Sequence, residues 1–172
     1  MIIIVFGLPG SGKSYFASRL AAMLKAEYVN SDRLRKEMFQ RRTYSNEEKA
    51  LVYKKMHEKM QRAVVEKESI VLDATFHKRE TRKLFTDKMQ AGAITFIEVW
   101  ATEKITEERL KQTRPDSEAD FEVYKFIKQH FEPLEKDHLL LESTDDNIDN
   151  MLQEAAAYLR LNDDKNTDTY TD

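Results

Sequence analysis

The sequence predicts a single α/β domain in which one parallel β-sheet carries helices on both faces. Short apolar runs, each of a length suited to one buried strand, alternate along the 172 residues with segments of helical spacing. A glycine-rich segment joins the first apolar run to the first helical segment. Strands that alternate with helices favour parallel pairing through right-handed crossovers, which place helices on both faces of the sheet.

Five apolar segments are predicted strands: 2–6, 27–29, 69–72, 93–100 and 138–141. The predicted helices cover 14–24, 31–40, 46–67, 78–91, 102–113, 119–131 and 147–161. Capping signals support these bounds: Ser31 and Thr102 can each cap a helix, and Ser45 with Glu48 forms a capping box. Gly92 is the residue type expected just past a helix end. The domain is therefore predicted to cover 1–161, and the polar segment 162–172 is expected to be disordered.

Composition excludes several kinds of site. The absence of cysteine excludes disulfides, thiolate metal sites and cysteine nucleophiles, and the four histidines lack the spacing of zinc ligands. The apolar run at 2–6 is too short for a membrane span or a signal peptide. We therefore expect a cytoplasmic protein with no membrane association. The net charge of −3 hides two basic segments, 31–42 and 77–88, each with five basic and two acidic residues.

The glycine-rich segment, GLPGSGKS at 7–14, fits the pattern G-x-x-x-x-G-K-[ST] between a predicted strand and a predicted helix. Glycines let backbone N–H groups approach phosphate oxygens, and the helix N-terminus adds partial positive charge. Lys13 is expected to reach the β- and γ-phosphates, and Ser14 to bind Mg²⁺. The segment therefore predicts ATP and Mg²⁺ as cofactors. The expected nucleotide-binding residues are Gly7, Pro9, Gly10, Ser11, Gly12, Lys13, Ser14 and Tyr15.

Two aspartates follow predicted strands at the edge where ligands bind in parallel sheets. Asp32 is a candidate general base for a hydroxyl acceptor, and the alternative is a simple helix cap. Asp73 ends the run at 70–73 and is a candidate to hold a metal-bound water or to orient an arginine. Its alternative is likewise a cap at the strand end.

A predicted lid, about 103–131, carries Arg109 and Arg114 next to a break at Pro115. Arginines on a closing segment stabilise charge on a transferring phosphoryl group. Arg114 is the first candidate for this role and Arg109 the second. The alternative is an ordinary solvated helix face.

Four segments in order, GLPGSGKS, SDRLRKEM, IVLDATF and ERLKQTRPDSEAD, resemble the bacterial P-loop kinases related to polynucleotide 5′-kinase and zeta-type toxins. The resemblance covers about residues 1–135. It implies a three-layer P-loop kinase fold with strand order 2-3-1-4-5. It also implies substrate contacts at Asp32, Arg35, Asp73 and Thr75: Asp32 as the base, Arg35 on the phosphate 3′ of the acceptor nucleotide, and Asp73 supporting Arg35. An arginine of the lid would bind the ATP phosphates.

The leading functional hypothesis from the sequence is an ATP-dependent 5′-hydroxyl polynucleotide kinase acting on RNA or DNA ends. It draws on the Asp32-x-x-Arg35 pair, on the two basic segments and on aromatic residues suited to stacking a base: Phe39, Tyr44 and Phe76. One alternative is a small-molecule kinase that encloses its acceptor under the helix from Asn46. Another is a nucleotide-dependent binding or switch protein. The sequence does not indicate the oligomeric state.

Overall fold

The structure is a computed structural model that describes residues 1–87, 89–90, 92–112 and 119–168, with side chains of the last helix described to residue 160. Its strands are β1 Ile2–Phe6, β2 Glu27–Asn30, β3 Ile70–Asp73, β4 Ile94–Trp100 and β5 Leu139–Glu142. Its helices are α1 Lys13–Leu24, α2 Ser31–Met38, α3 Asn46–Glu66, α4 Arg79–Thr86, α5 Glu103–Leu110, α6 Phe121–Gln129 and α7 Ile148–Asp168.

The five strands form one parallel sheet in the order β2-β3-β1-β4-β5, which confirms the predicted architecture. β1 lies in the centre, with Ile2 opposite Ile70 of β3 and Ile94 of β4. The chain turns to one side of β1 for β2 and β3, and to the other side for β4 and β5. Such a switch in strand order opens a crevice at the carboxyl ends of the strands. The glycine-rich segment begins at this point.

Alternate residues of β1 serve two separate cores, as the twofold period of a strand dictates. Ile2, Ile4 and Phe6 face one core, where they join Val52, Met56 and Met60 of α3. Ile3 and Val5 face the other, which also holds residues of α1 and α7: Phe16, Leu20, Met151 and Leu159. Because both faces of β1 are buried, its sequence is continuously apolar.

The residue that caps α2 is Asn30, not Ser31 as the sequence predicted. The Asn30 side chain accepts hydrogen bonds from the backbone N–H groups of Asp32 at 3.0 Å and Arg33 at 2.9 Å. β2 runs directly into α2, so the last extended residue is Asn30 and Ser31 is already helical. Capping requires a non-helical residue, which explains the shift by one position.

Several helix ends also differ from the prediction. α4 ends at Thr86 and not at 91. The chain leaves the helix there because Met89 packs against the core. Gly92, with φ 83°, lies in the connection to β4 and does not cap α4. α5 ends at Leu110, before the predicted 113.

α7 continues to Asp168, through part of the segment expected to be disordered. Extending an existing helix adds a hydrogen bond per residue without a new nucleus. In the described part of the chain, no helix has both the length and the apolar character needed to cross a membrane.

Candidate nucleotide and acceptor site

The loop between β1 and α1 requires glycine where it passes other backbone segments. A Cβ on Gly7, whose φ is 151°, would lie 2.1 Å from the carbonyl oxygen of Val99 in β4. A Cβ on Gly12, whose φ is 88°, would lie 2.5 Å from Ser143 Oγ. Both positions therefore exclude a side chain on steric and conformational grounds.

The N-terminus of α1 is arranged to receive an anion. Its cap residue is Gly12, which has no side chain to bond the first amide groups, and its first turn contains no acidic residue. These amide groups and the helix dipole favour a phosphate at this end. Lys13 Nζ lies over the same loop, 3.4 Å from the carbonyl oxygen of Leu8. The loop thus has the form predicted from its sequence.

A cleft of about 700 Å³ lies beside this loop. Among the residues that line it are Lys13, Ser14, Asn30, Asp32, Arg109 and Ser143. Tyr15 also lines it, and the Tyr15 ring lies 3.4 Å from the guanidinium carbon of Arg19. Pro9 and Ser11 are buried in the loop. The cleft is large enough for a nucleotide and brings the predicted base Asp32 to the predicted phosphate site.

Asp73 lies behind the cleft, fully buried at the end of β3. Its Oδ2 accepts hydrogen bonds from Tyr28 Oη at 2.7 Å and from Asn30 Nδ2 at 2.6 Å. Burial, and then the neighbouring Asp73 carboxylate, raise the pKa of Tyr28 far above its ordinary value. Asn30 Nδ2 also lies 3.3 Å from Ser14 Oγ, so one amide group connects Asp73 with the loop serine.

These residues fit the predicted magnesium ion. Asp73 Oδ1 is buried and has no hydrogen-bond partner among the described residues. A buried carboxylate oxygen without a partner is costly, and a cation or its bound water supplies what it lacks. Ser14 Oγ and Asp73 Oδ1 are hard oxygen ligands of the kind that Mg²⁺ prefers. Ser14 would hold the ion directly and Asp73 through water.

On the acceptor side, Asp32 is joined to a buried ion-pair network. Arg35 Nη1 donates to Asp32 Oδ1 at 2.8 Å, and Arg35 Nε lies 2.9 Å from Glu48 Oε1. Arg35 is 6% exposed and Glu48 5%, whereas the Asp32 side chain is 31% exposed. The ring of Tyr44 lies 4.7 Å from the Arg35 guanidinium. The carboxylate that supports Arg35 is therefore Glu48, and the expected support by Asp73 is wrong because Asp73 bonds Tyr28 and Asn30.

Thr75 lies in a second polar group beside this network. Thr75 Oγ1 is 3.5 Å from Tyr53 Oη and 3.5 Å from His77 Nδ1. Burial, together with the charges of Lys78 and Lys49, lowers the pKa of His77 to about 4. His77 is therefore neutral near pH 7. Sequence reasoning missed Tyr53 and His77, and no motif marks either of them.

The aromatic residues expected to stack a base have other contacts. Phe76 is fully buried in the core, and Phe39 packs against the same core. Tyr44 lies against Arg35. The expectation of a base-stacking role is therefore wrong for Phe76, because its ring has no exposed face.

The basic segment 77–88 also has internal partners. Arg82 is buried, and it donates to the carbonyl oxygens of Phe76 and Glu132 at 2.6 Å each. Arg79 pairs with Glu135 at 2.6 Å. These arginines tie the connection after β3 to the segment before β5, which is a structural role.

Arg109, one of the two arginines of the predicted lid, joins α5 to the segment after β5. It donates to Ser143 Oγ at 3.1 Å, to the carbonyl oxygen of Thr144 at 2.8 Å and to Asp145 Oδ1 at 3.1 Å. Its Nη1 lies 3.1 Å from the position that a Cβ on Gly12 would take. Arg109 thus lies against the phosphate loop, where it also lines the cleft. Arg114, the first candidate, is outside the described residues.

Comparison with known families agrees with this arrangement. The sequence family described as AAA domain matches residues 2–134, which is more than half of the chain and includes the phosphate loop and both aspartates. The chain belongs to this AAA domain family. No curated protein matches the sequence.

Solved structures similar to this AAA domain protein include several small kinases. A gluconokinase from Sinorhizobium meliloti is 18% identical with a TM-score of 0.73, over 98% of this chain and 97% of that one. A sugar kinase from a Janibacter species is 16% identical with a TM-score of 0.71, over 92% and 93% of the two chains. The APS kinase of Mycobacterium tuberculosis, solved with AMPPNP and APS, is 20% identical with a TM-score of 0.66, over 92% and 97%. The fold is therefore that of P-loop kinases.

Proposed function

We propose that this protein is an ATP-dependent kinase that transfers the γ-phosphoryl group to a hydroxyl of a small molecule. The observation that carries the proposal is the position of Asp32. Its carboxylate lines the same cleft as Lys13 and Ser14, and Arg35 holds it from behind. A carboxylate so placed is suited to accept a proton from a hydroxyl that faces a bound phosphate.

The donor side of the reaction would use the loop and α1. The backbone amides at the start of α1 and the Lys13 ammonium bind phosphate oxygens and orient the γ-phosphoryl group. Ser14 would hold Mg²⁺ together with Asp73 through water, and the ion would supply positive charge that stabilises the phosphate oxygens. Arg109 lines the cleft beside the loop.

The acceptor side would use Asp32 as a general base. Asp32 takes the hydroxyl proton while the acceptor oxygen forms a bond to the γ-phosphorus. The bond between that phosphorus and the β,γ-bridging oxygen breaks, and its electron pair leaves with ADP. Arg35 holds the Asp32 carboxylate in place through the contact of 2.8 Å.

The environment of Arg35 favours a small molecule over a polynucleotide end, which reverses the preference drawn from the sequence. A polynucleotide kinase of the expected type needs Arg35 on an acceptor phosphate. Here Arg35 is buried between two carboxylates, and its charge is balanced within the protein. If Arg35 moved away to bind an acceptor phosphate, the Glu48 carboxylate would remain buried without a cation, and the folded protein would lose stability.

The names of the similar structures support the same choice. They describe kinases of gluconate, of sugars and of APS, all small molecules.

The proposal is tested by phosphate transfer from γ-labelled ATP to a panel of acceptors. The panel holds sugars, sugar acids, nucleosides and APS beside a 5′-OH oligonucleotide. We expect label in a small acceptor, and transfer lost in Lys13→Ala but kept in Lys55→Ala, an exposed lysine far along α3. Label in the oligonucleotide alone would restore the polynucleotide hypothesis. ATP binding with no transfer to any acceptor would favour a switch protein.

A further inference from the structure

Glu48, read from the sequence as part of a capping box, has a different role in the fold. Ser45 Oγ accepts a hydrogen bond from Glu48 N at 3.2 Å, which is half of the box. The other half would return the Glu48 carboxylate to Ser45 N–H. Instead the carboxylate points into the protein and is 5% exposed. A buried carboxylate in a first helical turn needs strong partners. Glu48 Oε2 accepts hydrogen bonds, and Oε1 faces Arg35 in an ion pair that lacks hydrogen-bond geometry.

One oxygen of Glu48 holds the connection between α2 and α3. Glu48 Oε2 accepts from Thr43 N at 2.6 Å, from Thr43 Oγ1 at 2.9 Å and from Tyr44 N at 3.2 Å. Tyr44 has φ 55°, a conformation that a non-glycine residue adopts only at a cost. Burial opposes ionisation of Glu48, but these hydrogen bonds and the charge of Arg35 lower its pKa below the ordinary value.

The other oxygen of Glu48 faces the catalytic side. Oε1 lies 2.9 Å from Arg35 Nε, and the far end of the same guanidinium donates to Asp32. The Arg35 guanidinium thus lies between two carboxylates: Nη1 faces Asp32 and Nε faces Glu48. The planar guanidinium transmits orientation rigidly, which the flexible ammonium of a lysine would not do.

We propose that Glu48 is a positioning residue for phosphoryl transfer, acting through Arg35 on the orientation and proton affinity of Asp32. The inference rests on the proposed kinase function. Glu48 takes a share of the positive charge of Arg35, so Asp32 is held in place without losing all of its basicity. Because the same carboxylate anchors Thr43 and Tyr44, the acceptor-side connection and the base are held by a single group.

The test is Glu48→Gln, assayed as the single-turnover rate of transfer against pH with saturating ATP. Without the Glu48 charge, Arg35 acts on Asp32 alone and favours its ionised form. We expect the acidic limb of the profile to move to lower pH by about half a unit or more, because one charged neighbour has been removed. We also expect the plateau rate to fall about tenfold, since Asp32 becomes a weaker and less ordered base. The KM for ATP should not change.

Other groups around Asp32 are unaltered in this comparison. They include Lys13 of α1 and Arg33 of α2, which share its cleft, Tyr53 of α3, and Asp73 of β3, which is linked to it through Asn30. The matched control is Glu47→Gln, the same change at the exposed neighbouring position in the first turn of α3. Its profile should superimpose on the wild type.

If Glu48 has only a structural role, Glu48→Gln will lower the melting temperature without moving the acidic limb of the rate profile. That result overturns the inference. If Glu48→Gln loses its cooperative melt, Thr43→Val carries the test, because it removes one donor to Glu48 from an exposed position. We expect a fall of about twofold to fivefold in the single-turnover rate, typical of losing one hydrogen bond, at unchanged KM for ATP. An unchanged rate overturns the inference. A wild-type protein without transfer activity would instead overturn the proposed function.

Discussion

The side-chain amide of Asn30 donates to Asp73 Oδ2 at 2.6 Å and joins the last residues of the neighbouring strands β2 and β3. The same residue caps α2 through its oxygen and reaches Ser14 through its nitrogen. Asn30 therefore connects the phosphate loop, the buried carboxylate and the helix that carries Asp32. No charged residue type provides both a donor and an acceptor in this position.

Asn30→Asp should make stability depend on pH. Aspartate retains the cap, but it places a second carboxyl group against Asp73, and one of the two must be protonated in the folded state. The pKa of that group is raised by folding, so stability is greatest at low pH and is lost as pH rises. We expect the melting temperature to be higher at pH 5 than at pH 8.

Asn30→Ala is the control for that experiment. It removes the cap and the donor together and should cost about 2–4 kcal/mol at either pH. Equal melting temperatures of Asn30→Asp at pH 5 and pH 8 would contradict the contact with Asp73.

Asp32→Asn should abolish most phosphoryl transfer while leaving nucleotide affinity unchanged. Loss of a general base costs about 10²–10⁴-fold in rate. Because Asn30 caps α2, the substitution leaves the cap intact. Single-turnover transfer and ATP titration measure the two effects separately. A variant with wild-type turnover would exclude Asp32 from the chemistry.

Arg109→Ala should lower kcat/KM for ATP by about tenfold or more, the effect of losing charge-assisted hydrogen bonds. The substitution removes the three contacts that join α5 to the segment after β5. Lys111→Ala, at an exposed position one residue past α5, is the control. Steady-state kinetics with varied ATP give the comparison. Arg114→Ala completes the series, and a larger loss of kcat there would assign the transferring phosphoryl group to Arg114.

His77→Gln should reduce the acid sensitivity of the fold. In the folded protein the pKa of His77 is about 4, below the ordinary 6.5, so the unfolded chain binds a proton first as pH falls. His77 therefore destabilises the wild type between about pH 6.5 and pH 4. Water screens part of this effect, because the ring is partly exposed. Between pH 6.5 and pH 4 we expect the Tm of the variant to fall by about 2–4 °C less than that of the wild type. His57→Gln, on α3, is the control, and equal losses in both variants would contradict the assignment.

Local patterns were enough to predict the sheet and the phosphate loop. An apolar run of five residues followed by glycines, lysine and serine specifies a buried strand, a tight turn and a helix start without reference to the rest of the chain. The strand order followed from the family resemblance and is confirmed. The helix ends predicted at 91 and 161 are wrong, because packing of Met89 and continuation of α7 compete with local signals.

The sequence by itself determined the α/β sheet, the phosphate loop and the placement of Asp32 and Asp73 at the carboxyl ends of strands, since periodicity and turn chemistry act over a few residues. Only the tertiary structure decided what those aspartates contact. Glu48 lies 13 residues beyond Arg35, and Asn30 lies 43 residues before Asp73, yet each pair is in contact. The partner of a buried charged side chain is the group that packing places within its reach. Such partners depend on how helices and strands pack, and no local pattern encodes that choice.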